Sequence, residues 1–576
     1  MLCIMACSSM LHARTYYVKS DGSATGDPTS WASAITLTRL IALTTGTTPV
    51  APVSGDVVYV AGGTYSLTKS APSAAGALGT VAGVSYYGSF AGTESAPSER
   101  ATSDVDGNGI VEPWEFTNQS ILNFTLTNSS SGLTTSNASA IVTNINGFKL
   151  TGTNTASDFS TTNVRVTMRI SKNIRFENNI VANWTVTGSI TATSLTAPFF
   201  EVYTGYGNTV VHNCLFEKNT ITYTSTQSAE TVFHPFIYLG TAITLNRNVM
   251  SNCVVRNNRV TMDYSGSTVT SANNQRGLLV SIQSPSAGYP TALRNTIIHN
   301  NDVSYLPNSS VTSCYGAPVY VYNAATTVSD SIINSTIANN KTTNCSSAGI
   351  KFGMDLGGTA APNHFIMNNV MYNNKNNGSI SNFEANLAVP DASAMIKNNI
   401  CNGGNFTTGG IIPLVNSNSN VTGNLFDLSD DNAGTNGAFF NRPTTAVGYV
   451  ADGTVELSRW LIASYSYLKG KGIATLNTTD KSGRAYLSTP SVGAYEYDAS
   501  FYTGNIINTI NNNLINIEGR IIKSTTQSSM DVYNSVGRLV ATSSKNETTI
   551  TLKNGGIYIV KINTANENKV QKIFVK

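Results

Sequence analysis

Apolar residues in the middle of the chain form short runs placed at a fixed distance from asparagine residues. The segment NCVVRNNRV (252–260) shows the pattern, in which an Asn precedes a short apolar run and a polar doublet follows the Asn by five and six residues. Six segments share this order, and their leading residues are Asn173, Asn213, Asn252, Asn295, Asn334 and Asn368. The intervals between them are 40, 39, 43, 39 and 34 residues. Such a ragged period predicts stacked repeats rather than independent domains.

The apolar runs have the length and composition of strands. Each repeat carries a second run, such as FFEVYTG (199–205) or PVYVYN (318–323), rich in β-branched and aromatic residues and too short for a helix. The predicted fold class is therefore all-β, a parallel β-solenoid, with one coil for each repeat.

The doublets predict how one coil is joined to the next. They are Asn178/Asn179, Lys218/Asn219, Asn257/Asn258, Asn300/Asn301, Asn339/Asn340 and Asn373/Asn374. Asn tolerates the left-handed backbone conformation that a sharp bend needs. Stacked parallel strands would also place equivalent amides above one another, where they can form a hydrogen-bonded ladder. The alternative is that the doublets are polar surface loops. If they form a ladder, Asn257→Ala or Asn300→Ala should leave a buried partner unsatisfied.

This repeat pattern resembles the right-handed parallel β-helix proteins, a superfamily that includes pectate lyases and polygalacturonases. The resemblance extends to both ends: TYYVKSDGSATGDPTSWASA (15–34), GDVVYVAGGTY (55–65) and VSYYGSFAGTE (84–94) are similar to opening coils, and DKSGRAYLSTPSVGAYEYD (480–498) is similar to a closing coil. It implies an N-terminal cap with the first coils over 14–125 and a right-handed β-helix over 126–498.

Composition limits the possible partners of the chain. Charged residues are 12% of the 576 residues, and the net charge is only +3. This balance gives no case for nucleic-acid binding. No segment reaches 18 uninterrupted apolar residues, so no membrane-spanning helix is predicted. We expect a monomer with a long, weakly charged surface suited to an extracellular location.

The N-terminus and the cysteines suggest export without a disulfide framework. Residues 1–13 read as a truncated signal peptide, although a weak lipobox ending at Cys7 is an alternative. Beyond them, Cys214 and Cys253 follow leading Asn residues and are predicted to stack inward as small apolar side chains. The chain offers no CxxC pair, so no zinc site is predicted.

The C-terminal region changes to longer alternating strands with more lysine. Residues 529–576 predict the hairpins of a small β-sandwich, with turns at 534–537 and 554–556. Its sequence, above all GGIYIV (555–560) and the final KIFVK, resembles the type A C-terminal sorting domain of type IX secretion. That resemblance implies a sorting domain over 512–576 after a linker at 499–511. The partner would be the type IX secretion apparatus, and the final location the cell surface, outer-membrane associated, or the medium.

The segment DVDGNGIVEPWE (104–115) has the spacing of a calcium-binding loop. Its oxygen ligands would come from Asp104, Asp106, Asn108, the Ile110 carbonyl, Glu112 and Glu115. Close-set oxygens at positions 1, 3, 5, 7, 9 and 12, with Gly at position 6, match what Ca²⁺ requires. Pro113 and the lack of flanking helices rule out an ordinary helix–loop–helix hand. Bound Ca²⁺ would pin an insertion against the first coils, and a metal-free polar turn is the alternative.

Strand parity predicts one row of possible ligand contacts. In the second runs, outward positions would be held by Glu201, Tyr203, Phe236, Tyr238, Tyr320 and Tyr322, with Lys351 and Asp355 continuing the row. Exposed aromatic side chains stack on sugar rings. The alternative is that Tyr simply suits a half-exposed strand. Four of the five histidines (His212, His234, His299 and His364) are predicted to be surface or turn residues.

These observations favour a secreted cell-surface protein that binds polysaccharide or host glycans without catalysis. The carboxylate pairs that glycosidases on this fold use are not clustered in the repeats, where Asp302, Asp330 and Asp355 lie singly. The alternative is a polysaccharide lyase or glycoside hydrolase whose catalytic residues lie in inter-coil loops.

Overall fold

The structure is a computed structural model of the chain. It describes residues 13–575 apart from 46–50, 71–75, 108–110, 128–130, 136–140, 157–166, 172, 191–193, 197–198, 205–208, 226–230, 242–247, 269–274, 285–291, 312–314, 324–330, 346–349, 354–364, 373, 377–386, 389–394, 403–420, 423–424, 428–468, 476–477, 482–483, 497–514, 519, 525–528, 535–537, 545–548, 554–555 and 564–567. The signal peptide expected at 1–13, with Cys7, and the linker at 499–511 lie almost wholly outside these residues. The chain divides into two compact units, residues 1–496 and 497–576.

The first unit is a parallel β-helix with three sheets along its length, which confirms the predicted fold class. Sheet I has twelve strands: Thr15–Ser23, Val57–Ala61, Ser85–Phe90, Thr143–Asn146, Ile174–Glu177, Thr209–His212, Asn248–Ser251, Ala292–Arg294, Ser331–Ile333, Phe365–Met367, Met395–Lys397 and Val421–Thr422. Each strand pairs in parallel with the equivalent strand of the next coil, as Val210 with Val249 shows.

Sheet II contains the second apolar run of each repeat. Its strands are Leu78–Gly79, Leu133–Thr134, Met168–Ser171, Ser194–Thr196, Phe200–Thr204, Thr231–Thr241, Gln275–Ser284, Tyr315–Asn323, Ile350–Gly353 and Leu387–Ala388.

Sheet III follows the leading Asn of each repeat. Its strands are Gly63–Lys69, Ser120–Thr127, Phe148–Ala156, Ile180–Ile190, Leu215–Glu217, Thr220–Ser225, Val254–Arg256, Arg259–Asp263, Ile297–His299, Asp302–Leu306, Thr336–Ala338, Lys341–Thr343, Val370–Tyr372, Lys375–Asn376, Ile400–Asn402 and Leu425–Asp427.

The asparagines of each repeat have two different structural roles: some form the turns, and others form hydrogen bonds between coils. The leading Asn, such as Asn252 (φ 52°), and the first residue of the doublet, such as Asn257 (φ 54°), both adopt the left-handed conformation. Lys218 does the same at φ 54°, so the position demands a backbone conformation rather than an amide. The second residue of the doublet builds the ladder. The prediction of a turn and a ladder is therefore confirmed, but the ladder side chains are Asn258 and Asn301, not Asn257 and Asn300.

The ladder is continuous over five coils. The side-chain nitrogen of each Asn donates to the side-chain oxygen of the next at 2.8–3.0 Å, in the order Asn219, Asn258, Asn301, Asn340 and Asn374. A second, shorter ladder joins Asn369 to Asn399 at 2.9 Å. Because these amides are buried, the loss of any one of these hydrogen bonds would lower the free energy of unfolding. The ladder also fixes the register of the coils.

The core of the solenoid is one continuous apolar column. Cys214 and Cys253 lie within it, fully buried and free, as predicted. A helix that the sequence analysis did not predict, Leu37–Thr45, contributes Leu37, Leu40 and Leu43 to the N-terminal end of this column. Two short 3-10 helices, Trp31–Ser33 and Pro97–Glu99, lie in connections outside the sheets. No helix among the described residues has the length and apolar character needed to cross a membrane.

The second unit contains two small antiparallel sheets that share a core. One sheet has strands Ile515–Glu518, Ile521–Ser524 and Thr549–Thr551; the other has Leu539–Ser543, Ser529–Asn534, Gly556–Asn563 and Asn568–Val575. Ile522 and Ile550 of the first sheet pack with Val532 and Val560 of the second. The predicted β-sandwich is confirmed. The turns expected at 534–537 and 554–556 lie almost wholly outside the described residues. The strands before and after the second one, Thr549–Thr551 and Gly556–Asn563, belong to different sheets.

Candidate functional site

The predicted calcium loop places three carboxylates together. One oxygen each from Asp104, Asp106 and Glu115 lie within 4.8 Å of one another. Asp104 lies at the surface, and Asp106 side-chain exposure is 37%, whereas Glu115 is buried. Asn108 and Ile110 lie outside the described residues. The oxygens that are described are therefore grouped closely enough for a hard cation.

Glu115 holds the loop in shape through its own carboxylate. One oxygen accepts the backbone N–H groups of Val105 and Asp106 at 3.1 and 3.0 Å, and the other accepts that of Glu112 at 3.0 Å. The second oxygen, Oε2, has lone-pair capacity left for a cation. The carboxylates present fit the oxygen ligands that Ca²⁺ prefers, and Glu115 would then serve both a cation and the backbone amides.

The loop belongs to an excursion, residues 91–119, that packs on the outer face of sheet III. Trp114 clusters with an outward row of apolar side chains that comprises Ile180, Ala182, Leu215, Val254 and Ile297. Arg256, only 8% exposed at its side chain, bridges the excursion to the coils, since it contacts Asp106 at 3.4 Å and Glu217 at 3.0 Å. The first half of this face is therefore covered by the chain itself.

The closing segment, residues 469–496, covers the corner beside the second half of sheet III. Lys481 donates through Nζ to the Asn295 carbonyl at 2.7 Å, and Asn334 donates to the Thr479 carbonyl at 3.0 Å. Farther along, the backbone N–H of Gly493 donates to the Asn398 carbonyl at 2.8 Å. Thr336 and Val370, which point outward from sheet III nearby, are almost fully buried. This face is therefore poorly placed to receive a large ligand.

The residues predicted to form a row on sheet II are stacked in register, and two of them, Glu201 and Tyr320, are buried. Strand register aligns, on successive coils, Arg169, Glu201, Tyr238, Ser281, Tyr320 and Lys351. Tyr203 and Tyr322 align in a second row through Gly240 and Gln283. The part of the chain that the structure describes does not include the side chains of Tyr203, Tyr322 and Lys351, or any atom of Asp355.

Burial corrects the expectation of an open aromatic row on sheet II. Tyr320 is 1% exposed, and Glu201, paired with Arg169, is 6% exposed. Phe236 faces the core, where its ring stacks on that of Phe199 at 5.0 Å. Parity therefore placed Glu201, Tyr238 and Tyr320 in one row correctly but was wrong for Phe236, and alternation alone does not show what covers a face. Of this row, Tyr238 is half-buried.

An aromatic row that the sequence analysis missed lies on the outer face of sheet I. Register aligns Tyr17, Tyr59 and Tyr87 on three successive coils. Neighbouring rings meet edge to face, with centroids 5.8 Å apart for the first pair and 6.1 Å for the second. Trp31 packs against Tyr17 at 4.8 Å and donates its indole N–H to the Glu94 carbonyl at 2.7 Å. Tyr17, Trp31 and Tyr87 are half-buried, so part of each ring faces solvent.

The same row continues along sheet I with polar side chains. The coils after Tyr87 place in line Asn146, Glu177, His212, Ser251 and Arg294. We call these five residues the polar row. Arg175 contacts Glu177 at 2.7 Å, and the Nδ1 atom of His212 lies 2.9 Å from the Ser251 hydroxyl. Burial lowers the pKa of His212, although the Glu177 carboxylate acts in the opposite direction.

Two histidine positions differ from the prediction of surface or turn residues. His299 is fully buried on a sheet III strand beside Arg256, and His212 is half-buried on a sheet I strand. The signal for the sheet I row was present in the alternating Tyr residues of TYYV, VVYV and SYYG. Those strands lie outside the regular repeat, because long connections separate the first coils. Their register could not be counted from the asparagines.

Neither protein-family models nor curated proteins give a match to this chain.

Proposed function

We propose that the protein is a cell-surface β-helix that holds a polysaccharide or host glycan along the outer face of sheet I, without cleaving its glycosidic bonds. The observation that carries the proposal is the aromatic row of Tyr17, Tyr59 and Tyr87 with Trp31 beside it. Tyr59 is buried, whereas Tyr17, Tyr87 and Trp31 are half-buried and present part of their rings to solvent. Aromatic rings offer large, rigid apolar faces with polar edges, which suit the faces of sugar rings.

The layout of the three faces supports this choice. Sheet III is covered in part by the excursion and bordered by the closing segment, and the described outward residues Ser281 and Tyr320 of sheet II are buried. On sheet I the polar row follows the aromatic row in register, at about 4.8 Å per coil. At the junction, Asn146 is buried and its side-chain oxygen accepts a hydrogen bond from Arg100 of the excursion at 2.8 Å. An extended polymer lying along the solenoid axis would meet stacking surfaces first and hydrogen-bonding groups next.

Binding should be measured on the purified chain with a panel of polysaccharides and mucins, and read for both retention and new chain ends. The double variant Tyr17→Ala/Tyr87→Ala should weaken retention by at least about tenfold, which corresponds to about 1.4 kcal/mol. Tyr238→Ala is the matched control, because this tyrosine is half-buried on sheet II. An equal loss in the control, or no retention on any polymer, would refute the proposal. New reducing ends or unsaturated products would favour a hydrolase or lyase instead.

We further propose that Ca²⁺ binds at Asp104, Asp106 and Glu115 and fastens the excursion to sheet III. The support is the grouping of the three carboxylates and the docking of the excursion through Trp114 and Arg256. The cation would add to stability rather than to chemistry, since the loop packs against covered coils.

The C-terminal sandwich is proposed to act as a type IX secretion sorting domain, which would direct the protein to the cell surface or into the medium. This proposal is supported by the sequence of residues 529–576 and by their position within a separate compact unit. Deletion of residues 512–576, expressed in a host with that apparatus, should leave the protein in the periplasm. Unchanged appearance outside the cell would contradict this role.

A further inference from the structure

We propose that Ser251 and His212 form a nucleophile–base pair that hydrolyses carboxylic esters on the outer face of sheet I. This activity goes beyond glycan binding and does not depend on it. The Ser251 Oγ atom lies 2.9 Å from Nδ1 of His212. That distance is within the reach a general base needs to take the hydroxyl proton of a nucleophile.

Both side chains point away from the core and are reachable from solvent. Val211 and Met250, their partners in strand alternation, are buried in the core column, so His212 and Ser251 face outward. Each is half-buried. Sheet I thus presents the pair on the face that also carries the aromatic row.

The neighbouring coils place one charged side chain on each side of the pair in the strand register. Glu177 precedes His212 in the register, and Arg294 follows Ser251. Glu177 is fixed by Arg175, whose Nε and Nη2 atoms lie 2.9 and 2.7 Å from one carboxylate oxygen. A carboxylate beside the imidazole stabilises the imidazolium that forms during catalysis, which is the role of the acid in serine hydrolase triads. Arg294 is exposed and can approach a developing oxyanion.

The reaction is balanced with water as the only co-substrate. Ser251 Oγ attacks the acyl carbon while its proton passes to Nδ1 of His212. The ester C–O bond then breaks, and the leaving alcohol takes that proton. Water, deprotonated by His212, attacks the acyl-serine, releases the carboxylic acid and restores the hydroxyl. The substrate class is an O-acyl ester, which could be a substituent on a bound glycan or a free small ester.

The decisive experiment uses the full chain and a fluorophosphonate probe, with the adduct located by peptide mass spectrometry. Reaction forms the Oγ–phosphorus bond and expels fluoride, so only an activated serine is labelled. We expect labelling at Ser251, and a fall of about 10²-fold or more in its rate for His212→Ala, the usual contribution of a general base. Failure to label Ser251, or an unchanged rate in His212→Ala, would overturn the proposal.

A second readout separates serine chemistry from simple imidazole catalysis. Hydrolysis of 4-nitrophenyl acetate should be lost in Ser251→Ala and retained in Ser304→Ala. Ser304 is a matched control, since it is half-buried on a sheet III strand and donates to Asp302 at 2.9 Å, with no imidazole. Full hydrolysis by Ser251→Ala would count against the pair. Because glycan retention is measured separately, labelled protein that binds no polymer would refute only the glycan-binding role.

Discussion

The side-chain amide of Asn258 donates to the side-chain oxygen of Asn301 at 2.9 Å, one coil away, and the same oxygen accepts the backbone N–H of Asn258. Asn301 in turn donates to the Val255 carbonyl and to Asn340. One buried amide therefore ties three successive coils.

Asn301→Ala should lower the free energy of unfolding by about 1–3 kcal/mol, because it leaves buried donors and acceptors without partners. Asn300→Gly is the contrasting variant, since Asn300 has φ 53° and glycine tolerates that conformation. Its stability should change little or rise slightly. Denaturant unfolding of both variants tests the assignment, and similar losses at the two positions would argue against a ladder formed by the second doublet residue.

Arg256 should contribute more to the free energy of unfolding than its neighbour Arg259. Arg256→Ala removes the contacts to Glu217 and Asp106 and leaves Glu217 partly buried, so we expect a loss of about 1–3 kcal/mol, the cost of unsatisfied charged partners. Arg259, 66% exposed and 3.9 Å from Asp302, should give a change within about 0.5 kcal/mol when replaced by Ala. Limited proteolysis within 104–112 should become faster only in the first variant.

Calcium should raise the melting temperature of the wild-type chain by linkage, because only the folded loop groups the three carboxylates. Asp104→Asn is the sharper variant for this test, since Glu115 also accepts three backbone N–H groups and its loss would disturb the cation-free loop. Calorimetry with calcium and with chelator should show a shift in wild type that shrinks in Asp104→Asn. A shift of the same size in both would place the effect of calcium elsewhere.

The repeat could be predicted because its asparagines report backbone geometry directly. Left-handed turns at Asn252 and Asn257 recur at fixed spacing, and this spacing sets the register of the strands between them. Lys218 shows the limit of the pattern, since the same φ is reached there without an amide. Which doublet member enters the ladder depends on side-chain direction after the turn, and spacing does not report that direction.

The functional faces were harder to predict than the register. Alternation identified Tyr320 as outward, but its burial depends on what packs over it. Asp106 and Arg256 meet only because an excursion from the first coils returns to sheet III, a contact between residues 150 positions apart in sequence. His212 and Ser251 become neighbours only through the strand register of sheet I. The sequence repeat implied this register, but it did not show that a histidine and a serine would lie next to each other.

The titration of His212 gives the last prediction. Burial is the largest influence and lowers the pKa of His212 from its ordinary value of 6.5; the Glu177 carboxylate raises this pKa, and the Arg175 guanidinium lowers it. The neutral ring is therefore favoured by folding, so the stability it contributes is present above pH 6.5 and is lost as the pH falls through the folded-state pKa. NMR titration of the ring should give a midpoint below 6.5, and Glu177→Gln should move it lower by removing the favourable charge beside the imidazolium. Arg294, exposed on the far side of Ser251, is the remaining charge in the row, and Arg294→Gln should move the midpoint upward by a smaller amount. A midpoint at or above 6.5 in the wild-type chain would mean that the Glu177 carboxylate outweighs burial.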